Sequence, residues 1–257
     1  GGAVTDLAGF LASTYLRGIR FINCPTSLLA MVDASVGGKT GINLKSGKNL
    51  CGSFYSPNSV LINPVYLKTL NRREYIEGLA EVIKMGLVFE PKILDLINDF
   101  SSVDEAISGI GVTDLIFLAT KRKAEIVSKD FKESGLRMLL NYGHTFGHAV
   151  EKIENFKFRH GEGVAIGMIF AAELAYDLGL LDQEILDLHY FLLNKVGLPV
   201  SWNTSSSFDE VLDVMMKDKK VINGNLRFVL LTELQQPEIV TIEDKNVLKN
   251  VFERITK

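Results

Sequence analysis

Three of the chain's four histidines stand between positions 144 and 160. His144 and His148 are four residues apart, so on a helix they share one face. His160 follows the charged turn Asn155-Phe156-Lys157-Phe158-Arg159 and opens the next helical run. Arg137 and Asn141 lie just upstream, and Glu151 follows. Two antiparallel helices would bring His144 and His160 together, and Glu81 is the best-placed carboxylate for a third ligand. Two histidines, one carboxylate and an open position describe a catalytic metal site rather than a closed structural one. Spacing leaves a second interpretation standing, that of core histidines with satisfied hydrogen bonds. The zinc-protease pattern HExxH is set aside, because it needs Glu where Thr145 stands.

Cations come from every part of the chain: Lys39, Lys48, Lys84, Lys123, Arg137 and the pair Lys219-Lys220. If they converge, the ligand is strongly anionic and carries phosphate or carboxylate. Gly38-Lys39-Thr40 has the ending of a P-loop, but the glycine required five residues earlier is Asp33, so an ATP-binding P-loop is rejected. Lys39 and Lys48 instead sit in two successive glycine-bearing stretches, read as loops over residues 34–43 and 45–49. Such loops leave a lysine open access to an anion. Gly1-Gly2 reads as a glycine turn opening a helix to about Leu16, where backbone N–H groups favour a phosphate. The full GxGxxG fingerprint is missing.

The elements that must position these groups follow from periodicity. Arg20–Pro25 and Ser59–Pro64 read as short strands, and Thr26 caps a helix through Asp33. Arg72 to about Leu87 is an amphipathic helix whose stripe is Ile76, Leu79, Ala80, Ile83 and Leu87. Glu81 and Lys84 are i, i+3 neighbours on it, and Glu81 is bracketed by apolar residues, as suits a buried acid with a partner. Further helices are predicted over 91–99, 112–129, 144–155, 162–178, 182–196, 208–217 and 242–255, with a strand at 226–231 and a serine-rich loop at 201–207. Residues 1–70 therefore read as α/β and residues 71–257 as mostly α-helical.

The 257 residues suit one or two domains at ~150 residues each. A net charge of −3 gives no basic footprint for nucleic acid and no polybasic membrane patch. Cys24 and Cys51 have no CxxC spacing and read as reduced thiols of a cytoplasmic protein. No apolar run approaches a membrane span and no signal peptide opens the chain.

Six blocks, in order, carry a resemblance. They are Gly1–Phe10; Pro25–Asn43; Gly78-Leu79-Ala80-Glu81-Val82-Ile83-Lys84; Leu140–Ala149; His160–Met168; and Asp218-Lys219-Lys220 ahead of Leu226–Leu231. Together they resemble the 3-dehydroquinate synthase family nearly end to end. The resemblance implies a phosphate-eliminating carbon–oxygen lyase that depends on NAD and a divalent metal, zinc or alternatively cobalt. It turns 3-deoxy-D-arabino-heptulosonate 7-phosphate into 3-dehydroquinate by transient oxidation, β-elimination of phosphate, re-reduction, ring opening and aldol closure.

By the same resemblance Glu81, His144 and His160 match the metal ligands. Asp33, Lys39, Asn49, Lys84, Lys123, Arg137, Asn141 and His148 match the substrate pocket, together with one of Lys219 and Lys220. His148 is implied in proton transfer. Gly1, Gly2, Asp6, Thr26, Ser27, Thr69, Leu70 and Glu74 match positions around NAD, with Asp33, Lys39 and Lys48 at its boundary with the substrate. Arg17 matches an arginine that reaches a neighbouring subunit, which implies a homodimer. Gly163 stands for a commoner alanine and Tyr142 for a commoner phenylalanine. The family carries a further N-terminal stretch, so the resemblance implies that residues 1–70 are an α/β remnant of a Rossmann-like nucleotide-binding domain lacking the first strands of its sheet. Related readings are a sister sugar-phosphate cyclase, a metal-dependent polyol dehydrogenase and an inactive truncated remnant.

Overall fold

The computed structural model describes residues 1–44, 47–102, 104–105, 111–155, 157–217 and 225–256, with the side chains of residues 47–49 also left aside. The chain divides into two compact units. The first holds Gly1–Val82 and Asp104–Arg137, the second Ile83–Val103 and Met138–Lys257.

The first unit is α/β. Helix α1 (Gly2–Thr14) precedes strand β1 (Ile22–Asn23), which pairs in parallel with β4 (Ser59–Val60). Between them lies an antiparallel hairpin of β2 (Lys39–Leu44) and β3 (Gly47–Phe54). The sequence reading put loops here. The alternation that marks a strand is hidden because Gly41 pairs with Gly52 and the remaining positions are small or polar. A Cβ on Gly52 would fall 2.2 Å from the Thr40 carbonyl oxygen, so the two backbones approach closely. α1 packs on β2, where a Cβ on Gly9 would meet Thr40 Cγ2 at 2.5 Å. Ser53 Oγ donates to Ser13 Oγ at 2.8 Å and ties the hairpin to that helix.

Thr26 and Ser27 lead into a π-helical turn, Ala30–Ala34. There the Ser35 N–H donates to the Ala30 carbonyl five residues back, at 3.0 Å. Such turns are rare and widen a helix by one residue, which re-aims the side chain it carries. Here that side chain is Asp33. Packed against this turn is α4 (Val112–Lys129), whose Thr120 hydroxyl donates to the Met31 carbonyl.

Helix α2 (Arg72–Val88) begins in the first unit and ends in the second. The second unit is mostly helical: α3 (Lys92–Asp99), α5 (His144–Ile153), α6 (His160–Asp177), α7 (Gln183–Lys195), α8 (Phe208–Met216) and α9 (Lys245–Ile255). A hairpin of β5 (Leu226–Glu233) and β6 (Gln236–Ile242) joins them. Strand β6 is absent from the sequence reading, since Pro237 and Glu238 break any apolar alternation. Apolar on nearly all faces, α6 is the central helix, as such a pattern requires. Phe170 stacks on Phe146 at 4.0 Å, and Trp202, fully buried, meets Phe146 edge-on. At the hairpin tip Gln235 donates its backbone N–H to the Leu87 carbonyl and its amide to the Gly86 carbonyl, capping the end of α2. No helix among the described residues is long and apolar enough to cross a membrane.

Candidate functional site

In the second unit the site is a product of how closely α5 and α6 approach. A Cβ on Gly147 would lie 2.7 Å from the Gly163 carbonyl oxygen, and one on Gly167 only 1.8 Å from that of Gly143. Backbone therefore rests on backbone, and no larger residue fits at Gly147 or Gly167. Gly143 also opens α5 with φ +76°, a left-handed conformation that a Cβ disfavours. With the helices this close, the imidazoles of His144 and His160 stand 5.3 Å apart, His144 and His148 5.3 Å, and His148 and His160 6.3 Å.

The hydrogen bonds of the first two rings decide their tautomers. His144 Nδ1 lies 3.0 Å from the Tyr142 carbonyl oxygen, which can only accept. His160 Nδ1 lies 2.8 Å from Glu151 Oε1, a buried carboxylate. Each Nδ1–H is thus committed to an acceptor, which leaves Nε2 as the atom that a neutral ring offers to a metal. This is how histidines are held when they bind metals. His148, Glu151 and His160 also present ligand-type atoms within 4.8 Å of one another. Sequence reasoning gave Glu151 no role. Its spacing, three residues after His148 and seven after His144, places it on the same helix face and could have shown it.

Around these rings, the Arg159 N–H donates to Glu162 Oε2 at 2.9 Å and starts α6 at His160. Asn141 Nδ2 donates to the Met138 carbonyl at 3.0 Å. Lys84 is buried on the second-unit part of α2. Tyr142, whose carbonyl receives His144, is itself fully buried. Its hydroxyl lies 2.8 Å from His189 Nε2 on α7, and His189 Nδ1 donates to the Ile185 carbonyl at 2.7 Å. Burial pushes His189 down to about 4 and the Tyr142 phenol well up, so both are neutral.

The first unit gathers most of the remaining candidates. Lys123, buried, donates from Nζ to the Asp33 carbonyl at 2.6 Å and to Asp33 Oδ1 at 2.5 Å. The π turn is what presents both oxygens of one residue to one ammonium. Arg137 is almost wholly buried and donates to the Phe131 carbonyl at 2.6 Å. A Cβ on Gly37 would sit 2.6 Å from its Nη2, and Gly37 has φ +119°, so only glycine leaves this guanidinium its place. Burial lowers the Arg137 pKa, and Glu133, Asp33 and Asp130 oppose that shift. Lys39 pairs with Glu133 at 2.5 Å. Asp130 accepts backbone N–H groups from Ser134, Gly135 and Arg137, which folds the loop that carries Glu133 and delivers Arg137. Neither acid has a sequence motif.

Asp6, on the second turn of α1, is raised to about 6, first by burial and then by repulsion from Asp33, with Lys123 opposing. Gly1 and Gly2 form the start of α1, whose N-cap makes no side-chain hydrogen bond. Ser27 Oγ accepts from the Ala30 N–H. Thr26 and Thr69 are exposed, Leu70 and Glu74 half-buried. Exposed Arg17 sits in a left-handed turn after α1, φ +65°. The side chains of Lys48 and Asn49, and the whole of Lys219 and Lys220, lie outside the described residues.

Two family profiles match, 3-dehydroquinate synthase N-terminal over residues 1–77 and 3-dehydroquinate synthase C-terminal over residues 78–221. The chain is 46% identical over 258 residues to the 3-dehydroquinate synthase of Corynebacterium glutamicum (strain R), covering 100% of this chain and 70% of the relative. It is 48% identical over 255 residues to that of Paenarthrobacter aurescens (strain TC1), covering 99% and 70%. Among solved structures, 2-deoxy-scyllo-inosose synthase complexed with carbaglucose-6-phosphate, NAD+ and Co2+ superposes with a TM-score of 0.88 at 29% identity, over 99% of this chain and 72% of that one. The 2-epi-5-epi-valiolone synthase of Streptomyces hygroscopicus subsp. jinggangensis 5008, with NAD+ and Zn2+ bound, gives 0.89 at 27%, over 99% and 71%. A probable glycerol dehydrogenase from Sinorhizobium meliloti 1021, at 14% identity and a TM-score of 0.60, shares the fold alone. Matched along nearly its whole length by both halves of one enzyme family, this chain belongs to the 3-dehydroquinate synthases.

Proposed function

We propose that the chain carries 3-dehydroquinate synthase activity, converting 3-deoxy-D-arabino-heptulosonate 7-phosphate into 3-dehydroquinate and phosphate. The observation that carries this is 45–48% identity, over nearly all of the chain, to curated synthases of that name. The sister cyclases stand at 27–30% despite their close superposition.

Glu81, His144 and His160 are the proposed metal ligands. His144 and His160 stand 5.3 Å apart in the second unit, and Glu81 is buried on α2. The chemistry of the donors fits, since both imidazoles commit Nδ1–H to an acceptor and so orient Nε2 as the metal-binding atom. For NAD the proposed residues are Gly1, Gly2, Asp6, Thr26, Ser27, Thr69, Leu70 and Glu74, bordered by Asp33, Lys39 and Lys48. The glycine-opened N-terminus of α1 fits a pyrophosphate, since Gly1 and Gly2 carry no side chain and a Cβ on Gly2 would already stand 3.2 Å from that of Ala34. When bound, NAD supplies a transient hydride acceptor and the divalent ion, zinc or cobalt, a Lewis acid for substrate oxygens.

The chain's own residues bind and orient. Arg137 and Lys123, held by Phe131 and Asp33, bring fixed positive charge to an anionic substrate without reorganising when it arrives. Lys39, Lys84, Asn49, Asn141 and one of Lys219 and Lys220 complete the proposed pocket. His148, exposed on α5, is the proposed proton carrier. Residues 1–70 serve the nucleotide and residues 71–257 the metal and substrate. Arg17 reaches into a second copy in a cytoplasmic homodimer.

Phosphate release from the heptulosonate phosphate, with no net NADH, tests the reading. Net NADH formation from glycerol without phosphate release would overturn it. His144→Ala is expected to remove bound metal and activity together while most helicity remains, and full metal occupancy in that variant would refute the ligand assignment.

A further inference from the structure

We infer that Tyr142 and His189 are a positioning pair for the metal site, acting through the Tyr142 carbonyl on His144. This rests on the ligand assignment above. The connection is continuous. His189 is anchored on α7 by its Nδ1–H to the Ile185 carbonyl, its Nε2 receives the Tyr142 hydroxyl at 2.8 Å, and the Tyr142 carbonyl receives His144 Nδ1–H at 3.0 Å. Both side chains are fully buried.

Residue 142 stands immediately before Gly143, the left-handed residue at which the chain turns into α5. Alone, a peptide preceding a glycine hinge is free to rotate its carbonyl. Here the Tyr142 side chain is fixed at its far end by a bond directed by a rigid ring, and the edge-on contact of the two rings at 5.9 Å fixes the plane of the phenol. With the side chain fixed, the carbonyl keeps its aim at Nδ1, and the ring keeps Nε2 as its donor atom. Burial keeps His189 neutral, so it can accept at Nε2 while it donates at Nδ1. Apolar packing at 142 and 189 would fill the same space but would fix no direction.

The test separates positioning from stability. Metal affinity is read by competition with a chromogenic chelator, and the unfolding midpoint is measured on the metal-free protein. Outer partners of metal-binding histidines change affinity by about 10- to 100-fold, and a group one bond further out is expected to cost roughly three- to tenfold. Tyr142→Phe should lose that much affinity and also lower the midpoint, since it strands His189 Nε2 in the core. Tyr142→Phe combined with His189→Leu should recover the midpoint but not the affinity. His189→Gln, which keeps an acceptor for the phenol, should retain most of the affinity. Unchanged affinity in Tyr142→Phe, recovery of affinity together with the midpoint in the double variant, or a loss in His189→Gln as large as in His189→Leu would each overturn the inference. Failure of the wild-type protein to take up metal would overturn the ligand assignment, and this inference with it.

Discussion

The crossing of α5 and α6 allows the sharpest perturbation, because two glycines on one helix face very different surroundings. At Gly167 a Cβ would stand 1.8 Å from the Gly143 carbonyl oxygen, whereas real Cβ atoms essentially never come closer than 3.0 Å. Gly167→Ala must therefore move backbone by 3.0 − 1.8, or 1.2 Å, against a helix whose next contact is also backbone. Alanine gains about 1 kcal/mol over glycine in helix propensity. Overpacking costs about 1–3 kcal/mol where side chains can adjust and more where they cannot. The expected net loss is about 3 kcal/mol, with the rings of His144 and His160 pushed beyond their 5.3 Å separation. At Gly163 the same methyl group would meet Glu151 Cγ and the Gly147 carbonyl oxygen at 3.1 Å, which a shift of a few tenths of an ångström relieves. Gly163→Ala is therefore expected within about 1 kcal/mol of wild type. Urea unfolding of the metal-free proteins measures both, and chelator competition reads the metal site. Equal stability of the two variants would refute the backbone-on-backbone account of how the histidines are brought together.

The parts of this architecture that were legible in sequence are those set by local periodicity. α4 runs over the span its apolar spacing predicts, residues 112–129, and α2 differs from its prediction by one residue. The approach of His144 to His160 was legible as an expectation, because only a short charged turn separates the two helical runs that carry them. What stayed hidden depends on partners distant in sequence. β2 and β3 look like loops because the property that pairs them, absence of side chains at Gly41 and Gly52, leaves no alternation to read. The π turn at Ala30–Ala34 has no composition of its own, yet it aims Asp33 at Lys123, 90 residues away. Glu133 and Asp130 resemble ordinary surface acids until the loop closes on Arg137. His189 bears no motif, and only the packing of α7 reveals that it holds Tyr142.

Three further outcomes follow. Glu151→Gln keeps an oxygen acceptor but removes the charge beside His160, so metal affinity should fall about 10-fold with little change in helicity; unchanged affinity by chelator competition would show that the carboxylate does not position that ring. Lys123→Met leaves Asp33 without its ammonium in partly buried surroundings and should reduce phosphate release by at least about 100-fold while the chain stays folded by circular dichroism; activity near wild type would remove Lys123 from the pocket. The last outcome concerns pH. His189 titrates at about 4 in the folded protein against 6.5 ordinarily, because burial disfavours its charged form. Between those values the unfolded chain binds a proton that the folded chain does not, so stability falls as pH drops from 6.5 to 4. A difference of about 2.5 units corresponds to roughly 3 kcal/mol at the acid end. Asp6 works in the opposite direction, since its folded value is raised to about 6, and folding becomes less favourable as pH rises from 3.8 to 6. It is half-buried, so solvent weakens its effect. A single stability curve would therefore mix the two, but their difference between wild type and His189→Leu isolates the histidine. That difference should change steadily across pH 6.5 to 4 and level off above. A difference independent of pH would mean that His189 charges as readily in the folded chain as in the unfolded one, and is not sealed in the core.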